Sequence, residues 1–422
     1  MDGGLQELIT SSSNLSFGIP ESGRGREKFF AERTPQSIAE ELQALKADGG
    51  DDAQVVHLLV QAARRHVSSN GFTQVEAGTI IHCLASLDRW LRFPPFLRID
   101  TKYLALKLTE QLCKDLPSVG EREVSKVMYG MGSLFGGEPD PLGNRPRLKA
   151  CFQTLSAEIC QEHRLIEISQ VGLAKIMYAY ACLKWNSHTV LEKLAREIIN
   201  RVDGFRTREL GIVIVALRKL GYRHEELLIT LGLEASGARH VSAFAERDFC
   251  NVLYGLTLLT TTFRHLERVQ PIFRNLLIEA GSPIRMMKYN RQDVTMLIHC
   301  LGILNQDRQP GRNRTLLKRL IEKFMKQQER RPLIDKEMGK VIYACANLNF
   351  RDEAFLEKTN ALMASDAYQL NTAWFTTMVF WSLSTLEALT PDTFINLCLQ
   401  LCHLREQGAE MTDRNWMQLK YA

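Results

Sequence analysis

Residues 176–183 read IMYAYACL, and this eight-residue phrase decides the fold because it returns along the chain. Its copies are IIHCLASL (80–87), VMYGMGSL (127–134), IMYAYACL (176–183), VIVALRKL (213–220), VLYGLTLL (252–259), LIHCLGIL (297–304), VIYACANL (341–348) and VFWSLSTL (379–386). The closing leucines are spaced 47, 49, 37, 39, 45, 44 and 38 residues apart. A recurrence near forty residues marks stacked supersecondary units, each too small to bury its own apolar stripe.

With the first residue of each phrase as position 1, the agreement extends upstream. Position −1 is Gly78, Ser125, Ala174, Gly211, Cys250, Thr295, Gly339 and Thr377, small in every copy. Position −3 is Glu76, Glu123, Glu209, Asp248, Asp293 or Glu337 in six of eight copies. An acid in the first turn suits the positive end of a helix dipole. Thr73, Ser169, Asn290 and Thr372 stand three residues earlier, where a cap belongs. Each phrase is therefore the body of a helix, here helix B.

Amphipathic segments fill the intervals, among them TKYLALKLTEQLCKDL (101–116), HTVLEKLAREIINRV (188–202), RTLLKRLIEKFMKQQ (314–328) and DTFINLCLQLCHL (392–404). Their apolar residues recur at three and four, the helix period, so each is helix A of its repeat. The pattern predicts an all-α protein, an α-solenoid of about nine two-helix repeats of roughly 40 residues. Small residues at phrase position 4, Cys83 and Cys300 included, let neighbouring helices approach. TDRNWMQLKYA (412–422) fits the start of a ninth copy. A ninth repeat is thus begun and not finished, and the expectation is that it meets a partner or continues.

The repeats occupy 34–422; residues 1–33 carry Gly, Ser and Arg without apolar periodicity and are expected to be a flexible leader. That leader lacks an apolar secretory core. Arg24, Arg26, Lys28 and Arg33 favour a mitochondrial presequence, and Asp2, Glu7 and Glu21 oppose one. Gly at 27 and Pro at 13 exclude a collagen-like chain. The net charge is only +5, so any basic surface must be local. The ten cysteines contain no CxxC pair, which suits a reducing compartment. Cys398 and Cys402, four apart on a helix, read as small core residues. The uncharged stretch 367–386 is long enough for a bilayer, but its Thr, Ser, Asn and Gln content makes it a buried helix.

The phrase φ-φ-[Tyr/His/Trp]-small-φ-x-x-Leu, in paired helices, resembles the octotricopeptide and heptatricopeptide repeats and the helical region of FAST-kinase and RAP-domain proteins. VGLAKIMYAYACLKW (171–185) and RDFCNVLYGLTLL (247–259) carry the likeness best. The resemblance implies organellar RNA work, in mitochondria or plastids: binding, processing or stabilising transcripts and ribosomal RNA, including service as a mitochondrial ribosome component. The chain departs from the longest arrays in its irregular periods, and it shows no recognisable RAP domain.

Positions −4 and 0 lie one turn apart, opposite the apolar arc on a helical wheel. They hold Arg122 and Lys126, Lys175, Arg208, Arg247, Lys336 and Lys340, and the ninth copy adds Arg414. Stacking is expected to align them into a ladder that follows phosphates. Position 3, on the shoulder of that face, is His82, Tyr129, Tyr178, Tyr254, His299, Tyr343 or Trp381, with Val215 the exception. Rings beside cations suit single-stranded RNA. The alternative is a solvated charged face with tyrosines packed against the next repeat. The densest charge is at 305–340, where eleven basic residues, including Arg308, Arg312, Arg314, Lys318 and Arg319, face five acids. There RQPGRNR (308–314) reads as a loop leading into a basic helix.

No phosphate-binding loop, nucleophile elbow or zinc spacing assembles, so neither catalysis nor a cofactor or metal is expected. The expected partners are RNA, ribosomal RNA foremost, and neighbouring proteins of a ribonucleoprotein assembly. No membrane contact and no homo-oligomer are indicated. The competing expectation is a protein-interaction scaffold of a large organellar complex.

Overall fold

In the computed structural model, residues 33–48, 53–67, 71–137, 145–263, 266–304, 310–328, 335–365, 370 and 372–420 are described, and these are helical with no strand. The leader and Arg308 lie outside them, as do the side chains of Arg312, Lys336 and Arg414. The helices are α1 (Pro35–Ala47), α2 (Ala53–Val67), α3 (Gln74–Leu91), α4 (Pro95–Leu112), α5 (Glu121–Phe135), α6 (Arg145–Ile159), α7 (Glu162–Glu167), α8 (Gln170–Leu183), α9 (His188–Asn200), α10 (Thr207–Leu220) and α11 (Glu225–Ser236). There follow α12 (Glu246–Leu259), α13 (Gln270–Ala280), α14 (Pro283–Lys288), α15 (Arg291–Leu304), α16 (Pro310–Gln328), α17 (Asp335–Asn347), α18 (Glu353–Met363), α19 (Ala373–Thr385), α20 (Pro391–Glu406) and α21 (Asp413–Lys420).

All eight phrases fall in B helices: α3, α5, α8, α10, α12, α15, α17 and α19. The expected caps form. Thr73 accepts from the Glu76 amide at 3.3 Å while Glu76 accepts from the Thr73 amide at 2.7 Å. Asn290 and Asp293 exchange the same pair of bonds at 3.0 and 3.2 Å, and Ser169 and Thr372 cap α8 and α19. The acid at position −3 thus satisfies amides that the first turn leaves without partners.

The chain divides into two compact units, Met1–Ile198 and Ile199–Ala422. In the first, α1, α3, α5 and α8 stack as successive neighbours, with α2, α4 and α6 forming a second layer. In the second unit, α10, α12, α15, α17, α19 and α21 stack likewise, and α11 on α13 and α18 on α20 carry the outer layer. Each unit is a solenoid-like stack of helical pairs. Phrase positions 1, 2, 5 and 8 make the core: Ile80, Ile81, Leu84 and Leu87 are wholly buried, as are Leu253 and Leu256 in the other unit. Each such side chain contributes about 1.5–3 kcal/mol on burial.

Close approach explains the small positions. A Cβ on Gly132 (position 6) would stand 2.5 Å from the Ala179 Cα in the next helix B, and one on Gly302 the same distance from the Ala344 Cα. A Cβ on Gly130 (position 4) would meet Ile81 of the preceding helix B at 2.5 Å.

The structure adds a B-type helix that the phrase did not reveal. In α1, Thr34 is the cap and Ile38, Ala39, Leu42 and Leu45 are buried at positions −2, −1, 2 and 5. Gln43 and Asp48 stand where the ring and the closing leucine would be, so the phrase is unreadable there although its core remains. The loop expected at 308–314 is also corrected, because α16 already starts at Pro310. Proline is well suited to a first helical position, where its missing N–H would have had no partner. Residues 305–309 lie outside the described set.

Within 367–386, α19 is buried, and Thr376 and Ser382 return their hydroxyls to the Thr372 and Met378 carbonyls at 3.0 and 2.6 Å. Among the described residues no helix is long and apolar enough to cross a membrane. Cys83 and Cys300 are buried as expected, but Cys402 is exposed and Cys398 half-buried, on the outer face of α20 beside Ile395 and Leu399. That overturns their reading as core: helical spacing shows a shared face but not which layer covers it.

Four B helices end at position 9 in the left-handed region, at Lys184 (φ 51°), Gly221 (φ 66°), Asn349 (φ 44°) and Glu387 (φ 50°). Only glycine adopts this conformation without a Cβ penalty. Lys184→Gly and Glu387→Gly are each expected to stabilise the protein by about 0.5–1 kcal/mol, read as a rise in the urea midpoint. A fall would show that the side chains make contacts worth more than the strain.

Candidate nucleic-acid interface

The position 3 side chains line up. In the first unit His82 lies 5.3 Å from Tyr129, and Tyr129 lies 5.6 Å from Tyr178 with the rings stacked. In the second, Tyr254, His299, Tyr343 and Trp381 follow one another at 5.9, 6.1 and 5.5 Å. Each ring is supplied by the next B helix, so stacking alone turns one residue per repeat into a file. The ring faces meet each other, and the rings are half-buried, His299 more deeply. Burial pushes the Tyr178 hydroxyl up to about 12 and raises that of Tyr254.

Cations border the file. His82 is lowered to about 3, first by burial and then by Lys46, Lys175 and Lys126 around it. The ring therefore stays neutral at neutral pH, and the positive charge there belongs to three lysines from three B helices. Lys46 was invisible to the phrase because α1 was. Arg89, in the last turn of α3, stands near Tyr178. In the second unit Arg218 and Lys340 lie over the Tyr254 ring, at 5.1 and 5.5 Å from its centre.

Positions −4 and 0, treated as one ladder on the wheel, separate in three dimensions. Arg122 and Arg208 (position −4) are exposed. Lys126, Lys175 and Lys340 (position 0) are half-buried, because the neighbouring B helix flanks them. Lys126 lies 3.6 Å from Glu123 and donates to Thr79 Oγ1 at 3.3 Å. Arg247 donates to Asp293, the position −3 acid of the next repeat, at 3.2 Å. Arg291 and Glu337 form the same link one repeat on, at 2.7 Å. The acids thus cap their own helix and tie the preceding one.

In the dense basic segment, Arg314 and Lys318 are exposed, with Arg314 over the Phe350 ring at 5.7 Å. Arg319 donates to the Gly281 carbonyl at 3.1 Å and Lys323 to the Met287 carbonyl at 3.2 Å. Arg319 belongs to a device repeated through the outer layer. Gln111 donates to Val67, Lys193 to Cys160, Asn275 to Ser236 and Asn396 to Met363, at 2.7, 2.8, 3.4 and 2.7 Å. In each case a helix A side chain reaches a carbonyl at the C-terminal end of the preceding helix A, where carbonyls lack intrahelical partners. The donor changes among Gln, Lys, Asn and Arg, which hides the pattern in the sequence.

A second device was legible and missed. EICQEHR (158–164), EASGARH (234–240) and EAGSPIR (279–285) share an acid and a cation six residues apart. Glu158–Arg164, Glu234–His240 and Glu279–Arg285 close at 2.8, 2.9 and 2.6 Å. Arg164 then donates to the Leu116 and Val119 carbonyls, and Arg285 to those of Val241 and Phe244, each in the preceding repeat.

Among the described residues, no group of three or more His, Cys, Asp or Glu is placed to hold a metal ion. No protein-family model matches this chain, and no curated protein matches it.

Proposed function

We propose that the protein is a non-catalytic RNA-binding helical-repeat protein of an organelle, the mitochondrion with the plastid as alternative. In this reading it holds ribosomal RNA as part of a ribonucleoprotein assembly. The organelle and the class of RNA rest on the resemblance to octotricopeptide and heptatricopeptide repeats. The observation that carries RNA contact is the gathering of Lys46, Lys126 and Lys175 about His82, beside the Tyr129–Tyr178 stack. Cations collected along an aromatic strip suit a phosphate chain whose bases lie against apolar edges.

An electrophoretic shift of single-stranded RNA across a salt series tests this. Binding should weaken steeply as salt rises, and Lys46→Gln with Lys175→Gln should reduce the log–log slope by about 1–2. RNA binding that is absent, or insensitive to salt, would end the proposal.

A protein-scaffold reading has its own support. Phe394, Ile395 and Leu399 on α20 and Phe96, Ile99 and Tyr103 on α4 expose 37–63% of their surface. Exposed apolar stripes of this kind suit protein contacts. Cross-linking in organelle lysate separates the readings: nucleotide adducts support RNA contact, and adducts with protein alone support the scaffold.

A further inference from the structure

We infer that Arg218, Tyr254 and Lys340 form a phosphate-binding site on the B-helix face of the second unit. The inference begins with an exception. Position 3 carries a ring in seven of the eight phrases and Val215 in the eighth. In that same copy position 6 is Arg218, where the others have Ala85, Gly132, Ala181, Thr257, Gly302, Ala346 and Ser384. The copy without a ring is therefore the copy with a cation one turn further on. In three dimensions the guanidinium takes up the vacated role: its carbon lies 5.1 Å from the centre of the Tyr254 ring, the next member of the file. Lys340, from α17, brings its ammonium to 5.5 Å from the same centre, while His299 flanks the tyrosine at 5.9 Å.

Two features point to an anion. One tyrosine quadrupole attracts both cations, yet it does nothing to cancel their mutual repulsion, which a negative group between them would remove. The Arg218 Nε is buried without a hydrogen-bond partner. That nitrogen belongs to the side-on edge through which a guanidinium grips two oxygens of one phosphate. Lys340 adds a point charge, the usual complement to such a fork. The site deepens the RNA reading, on which the identity of the phosphate's carrier rests, and the chemistry it names is a phosphodiester.

The test uses the full chain, a fluorescently labelled single-stranded 20-nucleotide RNA, and Arg218→Gln, Lys340→Gln and their combination. Circular dichroism and thermal unfolding confirm that each variant is folded. The double variant should bind at least tenfold more weakly at about 0.1 M salt, with a log–log slope lower by about 1–2. Arg196→Gln, an exposed change in the first unit, should leave both unchanged. If the wild type binds and the double variant matches it in affinity and slope, the site is overturned while the RNA reading stands. If the wild type binds no RNA, that reading falls, and calorimetry with inorganic pyrophosphate decides the site. Pyrophosphate binding by the wild type that the double variant loses upholds it, and its absence from the wild type overturns it. Should the double variant unfold, Arg218→Lys decides the question: it keeps the charge over the ring but loses the two-pronged edge. Weakened binding upholds the site, and unchanged binding overturns it.

Discussion

Arg285→Ala is expected to lower stability by about 3–5 kcal/mol, the largest single effect foreseen for this chain. Arg285 is 3% exposed, pairs with Glu279 at 2.6 Å, donates to the Phe244 and Val241 carbonyls, and lies over the Phe249 ring at 4.6 Å. Truncation leaves a part-buried carboxylate and two carbonyls without their donor, and it opens a void over the ring. Urea unfolding of the second unit would show a lower midpoint with an unchanged slope. Arg196→Ala, whose partner Glu192 lies on the same helix and whose side chain is 73% exposed, should cost well under 1 kcal/mol. Similar losses for the two variants would mean that the six-residue acid–cation link is ornamental.

The second large effect concerns helix approach. Gly302→Val should cost about 3 kcal/mol, because its Cβ would stand 2.5 Å from the Ala344 Cα and 2.7 Å from that residue's Cβ. Relief requires two B helices to separate, which also loosens their buried phrase leucines. Gly211→Ala is the internal control. A Cβ there meets Val252 at 3.8 Å and Phe244 at 4.0 Å, ordinary contact distances. It should be neutral or stabilising by up to about 1 kcal/mol, since alanine is the better helix former. Both outcomes are read as midpoint shifts. A reversed order would place the tight contact somewhere other than position 6.

How much of this was legible depends on how local the cause is. The phrase could be read because burial at positions 1, 2, 5 and 8 demands apolar residues in every repeat. The caps at Thr73, Ser169, Asn290 and Thr372 could be read because a first turn needs an oxygen at one fixed offset. The α1 helix could not, since Ile38, Leu42 and Leu45 keep the core but Gln43 removes the ring that made the phrase recognisable. The Glu-x5-Arg links were present in the sequence and went unseen, because nothing local to six residues announces a carbonyl more than forty residues upstream. Carbonyl donors such as Gln111 and Asn396 leave no trace, since any long or branched side chain with an N–H serves.

For the candidate surface, the residue types were evident and their company was not. That position 3 holds rings is a statement about sequence; that Tyr129 and Tyr178 turn their faces to each other follows from the distance between neighbouring B helices. A helical wheel put Lys126 and Arg122 on one solvent face, because a wheel contains a single helix. Packing brought a second helix against position 0 and left position −4 exposed, so two groups one turn apart came to differ in burial and partners. Chain chemistry thus dictated helices, their caps, their apolar arc and the need for small residues where they touch. Which cations share a neighbourhood – Lys46 with Lys175, Arg218 with Lys340 – was set by stacking, because charges far apart along the chain act on each other through space.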